Sequence, residues 1–103
     1  MDELRSVGGD QDALTLYRER IDRIDDEIMA LLQARASIVV AVAQMKRRAG
    51  LPMRDLERER AIIERLADQP TPVLSRCGIE RIMQHVFDEC VNSVPAMRAY
   101  DGR

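Results

Sequence analysis

The chain has 103 residues and a formal net charge of −2 at pH 7, with 46% hydrophobic, 33% charged and only 3% aromatic residues. This length predicts one domain. The lack of net positive charge and the scarcity of aromatic side chains exclude a broad basic or base-stacking surface for nucleic acid. A composition rich in Ala, Leu, Ile, Met, Glu and Arg favours helices joined by short loops.

The first predicted element is a very long helix. Residues 1–10 are polar and contain Gly8-Gly9, so we expect a disordered lead-in before a helical domain over residues 11–100. From there to Ala49 the chain has no Gly or Pro, and apolar side chains recur every three or four positions. This pattern predicts one helix of about 35 to 39 residues, roughly 55 Å long. The rest of the chain is too short to cover it, so we expect a second copy to pack against it.

Two shorter helices are predicted next. Gly50-Leu51-Pro52 ends the long helix, because Gly permits a left-handed cap and Pro bars continuation. A short helix is expected from about Arg54 to Ala67, and a medium one from near Pro72 to about Val94. The predicted fold is therefore all-α, with a long, a short and a medium helix in each subunit of an intertwined helical dimer.

The cysteines and the apolar runs bear on the compartment. Cys77 and Cys90 lie on the predicted third helix about 20 Å apart, too far for a disulfide. We expect both to be buried, reduced thiols. No apolar run approaches the roughly 18 residues of a membrane span, and no leader of basic and then apolar residues is present. These features predict a soluble, cytoplasmic protein.

Arg35 interrupts the apolar face of the long helix between Leu31 and Ile38. A buried arginine is costly unless an anion meets it. One interpretation is an internal ion pair with Glu64 or Asp88. The other is a site for an anionic ligand.

Two further cations share this face. Lys46 lies three turns beyond Arg35, about 16 Å along the axis, so a small carboxylated molecule would fit between their side chains. Arg18 lies in the same heptad phase but about 42 Å before Lys46. It could join such a site only from the partner subunit of an antiparallel dimer.

The short helix carries an alternating charged run from Arg54 to Arg60. Such a run is typical of a solvated face with ion pairs between neighbouring turns. The same spacing also places Asp55, Arg58 and Glu59 on one side, where they would offer a donor and acceptors to a ligand. His85 is the only histidine, and we expect no catalytic role for it and no metal site.

Three segments carry a resemblance to a known family. The first is Leu-x-x-x-Arg followed by Ile-Asp-x-Ile-Asp-x-x-Ile-x-x-Leu-Leu-x-x-Arg, from Leu14 to Arg35. The second is Val-x-x-x-Lys, which ends at Lys46, and the third is Pro-x-Arg-Asp-x-x-Arg-Glu, from Pro52 to Glu59. Over roughly residues 14–94 the chain resembles the all-α chorismate mutases.

The resemblance implies a reaction and a set of site residues. The expected reaction is the concerted rearrangement of the dicarboxylate chorismate to prephenate, with no cofactor or metal. The expected catalytic residues are Arg35, which would hold a substrate carboxylate, and Lys46, which would contact a carboxylate and the ether oxygen. Arg18 would be contributed across a homodimer. The remaining residues expected to bind the substrate hydroxyl and a carboxylate are Asp55, Arg58 and Glu59.

The predicted third helix departs from the family pattern. The family usually places Gln or Glu opposite the lysine, and an ungapped comparison puts Val94 there. A small polar residue one turn earlier corresponds to Cys90. Either the register shifts and brings Asn92 or Ser93 to the site, or the site lacks this donor.

Other functions stay open at this point. Relatives on the same fold act as isochorismate pyruvate-lyases or 4-amino-4-deoxychorismate mutases. A non-catalytic helical dimerisation or regulatory module is the alternative of another class, and it predicts that Arg35 and Lys46 pair with internal carboxylates.

Overall fold

The computed structural model describes residues 9–70 and 73–95. In these ranges the chain forms three helices, α1 (Asp10–Ala49), α2 (Leu56–Ala67) and α3 (Arg76–Asn92), and no strand. The predicted all-α fold of long, short and medium helices is confirmed. Most of the predicted lead-in, residues 1–8, and the end of the predicted domain, residues 96–100, lie outside the described residues.

The end of α1 follows the glycine signal in the sequence. Gly50 has a φ of 71°, in the left-handed region. The backbone N–H of Leu51 donates to the carbonyl of Lys46 at 2.8 Å, and the N–H of Gly50 donates to the carbonyl of Arg47 at 3.2 Å. This pair of bonds is a Schellman motif, which satisfies carbonyls that the helix end would leave free. It fixes where the last turn of α1 presents Lys46.

The chain divides into two compact units, residues 1–33 and residues 34–103. The described part of the first unit is the N-terminal portion of α1. The apolar side chains that recur every three or four residues along this portion form an apolar stripe. The stripe is exposed in the single chain, with exposed fractions of 49% for Tyr17, 54% for Ile21 and 53% for Ile24. The stripe therefore finds no cover among the described residues of one chain.

The second unit contains the remainder of α1 together with α2 and α3, and it holds the core. Phe87 and Cys90 of α3 are buried, as are Ala43 of α1 and Ile62 of α2. Val94, which follows α3, is the most deeply buried side chain described, at 1% exposure. At the surface, Arg76 pairs with Glu64 at 2.6 Å and so connects α3 to α2.

Side-chain caps set the helix starts and correct two predicted boundaries. Helix α2 begins at Leu56 rather than Arg54, because Asp55 is extended and its carboxylate accepts from the N–H of Arg58. Helix α3 begins at Arg76 rather than near Pro72, which lies outside the described residues, because Ser75 caps it by accepting from the N–H of Gly78 at 2.9 Å.

The two cysteines differ in exposure. Cys90 is buried, as expected, whereas Cys77 is exposed, because it lies in the first turn of α3 away from the core. The prediction that both are buried was therefore wrong for Cys77.

Helix α1 is long and apolar enough to cross a membrane by length and composition alone. An 18-residue window in it reaches a mean hydropathy of 1.6 with no more than two charged residues, although no uninterrupted apolar run is that long. Core helices of water-soluble proteins and N-terminal signal sequences meet the same criterion. The window therefore does not assign α1 to a membrane.

Candidate active site

A cavity of about 290 Å³ lies in the second unit, between the C-terminal part of α1, the α1–α2 connection, α2 and α3. Its size is near the lower end of the range for small-molecule sites, about 300 to 1,000 Å³. The predicted site residues that line it are Arg35, Lys46, Asp55, Arg58, Glu59 and Cys90. Residues far apart in sequence thus converge on one cavity.

Within residues 9–70 and 73–95, the partners of Arg35 come from α3 and none of them is a carboxylate. Its Nη1 donates to Sγ of Cys90 at 3.2 Å, and its guanidinium carbon lies 5.3 Å from the centre of the Phe87 ring. The stacking on an aromatic face stabilises the cation without using up its in-plane donors. The carboxylates proposed as internal partners are taken, since Glu64 pairs with Arg76 and Asp88 with Arg54.

Lys46 is anchored at the end of α1. Its Nζ donates to the backbone carbonyl of Met53 at 3.1 Å. Because an ammonium group has three donors, this bond leaves two for a ligand. Among the residues that the structure describes, Lys46 makes no ion pair, so its charge faces the cavity without an internal counter-ion.

Asp55 has a structural role besides its place in the cavity wall. Its Oδ1 accepts from the N–H of Arg58 at 3.1 Å and caps α2. The positive end of the helix dipole also stabilises the negative charge of a capping aspartate. The first turn of α2 thereby presents Arg58 and Glu59 to the cavity.

Arg54 joins two carboxylates of different helices. Its Nε and Nη2 donate to the two carboxylate oxygens of Glu59, each at 3.0 Å, and its Nη1 donates to Oδ1 of Asp88 at 2.9 Å. These hydrogen bonds, to Asp88 first and then to Glu59, raise the pKa of Arg54 above its usual value. The guanidinium therefore stays charged at any working pH.

The formal charges that line the cavity favour a dianion. Four cationic side chains and two carboxylates face it, which leaves a net formal charge of +2; these residues are Arg35, Lys46, Arg54, Arg58, Asp55 and Glu59. Groups of three or more His, Cys, Asp or Glu that could hold a metal ion are absent from residues 9–70 and 73–95. The arrangement suits recognition of a small molecule that carries two carboxylates.

Two predicted site residues are placed elsewhere. Val94 is in the core, and α3 contributes Phe87, Cys90 and Val91 to the cavity instead. Arg18 belongs to the first unit and is exposed. Their predicted roles at the site stay predictions.

Arg54 and Met53 also line the cavity, although no sequence pattern marked them as parts of the site. Arg54 stood in the charged run at the start of the short helix and in the third family segment, but neither pattern gave it a role at the site. Met53 acts through its backbone carbonyl, which no side-chain pattern reveals.

Comparison with known proteins identifies the family. Residues 17–93 match the model of the family described as chorismate mutase type II. The chain belongs to the chorismate mutase type II family. The family resemblance predicted from the sequence is thus confirmed over most of the chain.

Curated relatives agree with this membership. The chain is 33% identical over 76 residues to the bifunctional chorismate mutase/prephenate dehydratase of Aquifex aeolicus, which covers 74% of this chain and 21% of that protein. It is 40% identical over 53 residues to the chorismate mutase of Methanocaldococcus jannaschii, 52% of this chain and 54% of that protein. The chain therefore spans about one fifth of the bifunctional relative and about half of the shorter one.

A solved structure supports the fold. The chorismate mutase of Thermus thermophilus superposes with a TM-score of 0.71 and 23% sequence identity, over 75% of this chain and 96% of that one. At this identity the likeness concerns the helical fold alone. Both chains thus share the all-α chorismate mutase architecture.

Proposed function

We propose that this chain rearranges chorismate to prephenate. The observation that carries the proposal is the cavity in which Arg35, Lys46 and Arg58 form no internal ion pair among the described residues and the lining has a net formal charge of +2. Chorismate is a dianion, so binding would compensate this charge. Family membership supplies independent support for the same reaction.

The chemistry requires conformational control and electrostatics rather than a nucleophile. The rearrangement breaks an ether bond and forms a carbon–carbon bond within one molecule, so the site must hold a flexible dianion in its folded conformer. Arg35 and Arg58 present planar guanidinium groups that suit carboxylates. Lys46, held by Met53, would face the ether oxygen, on which negative charge develops as the bond breaks.

The carboxylates in the cavity have a complementary task. Asp55 and Glu59 can accept hydrogen bonds from the substrate hydroxyl, which the cations cannot do. They also offset two of the four positive charges that line the cavity, so a ligand with two negative charges balances the remainder. Phe87, Cys90 and Val91 form the α3 wall, and of these Cys90 stands where the family resemblance places a small polar residue. Lys46 would then stabilise the ether oxygen without help from a glutamine.

Turnover of three substrates tests the reaction. We expect the purified chain to convert chorismate to prephenate, identified by mass, and not to act on isochorismate or 4-amino-4-deoxychorismate. Arg35→Ala and Lys46→Ala should each lower kcat/KM by about 10²- to 10³-fold, the usual cost of losing a preorganised donor. Arg76→Ala is the control. It removes a cation that connects α3 to α2 through Glu64, but Arg76 lies outside the cavity.

The outcomes separate the competing functions. Pyruvate release from isochorismate, or product from the amino analogue alone, would assign the chain to one of those activities. Absence of turnover of all three substrates by the wild type would leave a non-catalytic dimerisation or regulatory module, although Arg35 and Lys46 lack the internal carboxylate partners that this alternative predicts among the described residues. Unchanged chorismate turnover in both cavity variants would show that the reaction does not take place in this cavity.

We further propose that the working form is an intertwined homodimer with Arg18 contributed across the interface. The exposed apolar stripe of α1 supports a partner helix, because Ile21, Ile24 and Ile28 are each about half exposed in the single chain. Stripe residues at these spacings are typical of a helix–helix interface.

The location we propose is the cytoplasm, and the pathway we propose is aromatic amino-acid biosynthesis. Both are in line with the bifunctional relatives that combine chorismate mutase with prephenate dehydratase.

Subunit complementation tests the shared site. Arg18→Ala and Arg35→Ala should each be nearly inactive alone. After reassortment of an equal mixture, half of the dimers carry one intact site of two, so about one quarter of wild-type activity should return. No recovery in dimers shown to be mixed, or full activity in a species that sediments as a monomer, would refute the shared site.

A further inference from the structure

The contacts of Arg54 distinguish it from the other cavity cations. It lies directly before the residue that caps α2, and it lines the cavity. Whereas Arg35, Lys46 and Arg58 make no ion pair in the described part of the chain, Arg54 pairs with both Glu59 and Asp88. Its charge is thus already matched by protein carboxylates.

Glu59 is the residue that this arrangement constrains. Its side chain is 15% exposed, and both of its oxygens accept from the same guanidinium group. A bidentate pair fixes the plane of the carboxylate, which a glutamate side chain would otherwise rotate freely. Each oxygen keeps a lone pair that can still accept from a ligand hydroxyl.

Asp88 holds the arginine from the other side. It lies on α3, outside the cavity lining, and its side chain is about half exposed. Its bond to Nη1 spans the gap between the start of α2 and α3. The orientation of the Glu59 carboxylate thereby depends on the position of α3.

We propose that Arg54 is a positioning residue that aligns Glu59 with the substrate hydroxyl and is itself fixed by Asp88 of α3. The inference rests on the proposed function, since it concerns the same cavity and the same substrate. It differs from a role in binding a substrate carboxylate, which the two remaining N–H donors of Arg54 would also allow. The two roles make different predictions about coupling to Glu59.

A double-mutant cycle separates the two roles. We expect Arg54→Lys, which keeps the charge and loses the fork, to lower kcat/KM by about 10- to 100-fold through misplacement of Glu59. The division of the loss between kcat and KM should match that of Glu59→Gln. In the Glu59→Gln background the further effect of Arg54→Lys should fall below about threefold, because the group through which it acts is already changed.

Asp88→Ala and Arg76→Lys complete the test. Asp88→Ala should lower kcat/KM several-fold, and the loss should divide between kcat and KM as it does in Arg54→Lys, although Asp88 does not line the cavity. Arg76→Lys weakens another ion pair between α2 and α3, that of Arg76 with Glu64, and should lower the free energy of unfolding by about as much as Asp88→Ala does. It should leave kcat and KM each within about twofold of the wild type.

Three results would overturn the inference. Losses from Arg54→Lys and Glu59→Gln that multiply would indicate direct substrate binding by Arg54. Wild-type kinetics in Asp88→Ala would show that Asp88 of α3 does not fix Arg54 for catalysis. A kinetic loss in Arg76→Lys equal to that in Arg54→Lys would make the effect a general one of helix packing. Failure of the wild type to turn over chorismate would instead reject the proposed function itself.

Discussion

Nη1 of Arg35 and Sγ of Cys90 are in hydrogen-bond contact at 3.2 Å, across 55 residues of sequence. Cys90 is buried, and its thiol accepts from this guanidinium and so can orient it before a substrate binds. The sulfur is a weak acceptor, which holds the arginine without competing strongly against a carboxylate. The contact explains how an arginine is kept on the apolar face of α1.

Removal of the thiol should weaken substrate binding. Cys90→Ala leaves Nη1 without this acceptor, and we expect KM to rise about fivefold, the effect of roughly 1 kcal/mol. Cys90→Ser supplies an oxygen acceptor and should stay within about threefold of the wild type. Steady-state kinetics check both. Cys77→Ala is the matched control on the same helix, because Cys77 is exposed, and equal KM values in the two alanine variants would contradict this role.

Loss of the Lys46 charge should affect the chemical step more than binding. Lys46→Met keeps most of the side-chain volume, and we expect kcat to fall about 10²- to 10³-fold, with a smaller change in KM. Single-turnover kinetics with chorismate measure the step directly. Arg47→Met removes a neighbouring positive charge in the same last turn of α1, outside the cavity, and should leave kcat nearly unchanged. An equal loss in both variants would indicate a general effect of charge.

The cap at Asp55 should contribute to both stability and binding. Asp55→Ala removes the acceptor for the N–H of Arg58 and should lower the free energy of unfolding by about 1 kcal/mol. It should also raise KM for chorismate. Ser75→Ala removes the corresponding cap of α3, away from the cavity, and should lower stability by a similar amount with no change in KM. Urea denaturation and steady-state kinetics separate the two effects, and equal KM changes would contradict a binding role for Asp55.

The left-handed turn at Gly50 should resist substitution although the space around it is open. Gly50 has a φ of 71°, and a Cβ there would meet no atom within 4 Å. Gly50→Ala should therefore destabilise the protein by about 1 to 2 kcal/mol through backbone strain alone. Gly50→Asn should cost less, because Asn tolerates this conformation. Equal unfolding free energies for the alanine variant and the wild type, measured in urea, would show that the turn relaxes.

Much of the fold could be predicted because its signals are local. The apolar spacing and the absence of Gly and Pro predicted α1, and Gly50 marked its end. The starts of α2 and α3 were misplaced, because Asp55 and Ser75 were not recognised as caps. Cap geometry depends on the backbone before the helix, which the apolar period does not report.

The sequence alone determined which cations lie on one face of α1, because the 3.6-residue period places Arg35 and Lys46 there wherever the helix packs. Only the tertiary structure decided their partners. The contact of Arg35 with Cys90 and that of Arg54 with Asp88 join residues 55 and 34 positions apart, and a helical period carries no information over such separations. The packing of α3 against the other helices therefore gave Arg35 a thiol and an aromatic ring as neighbours, and gave Arg54 a carboxylate.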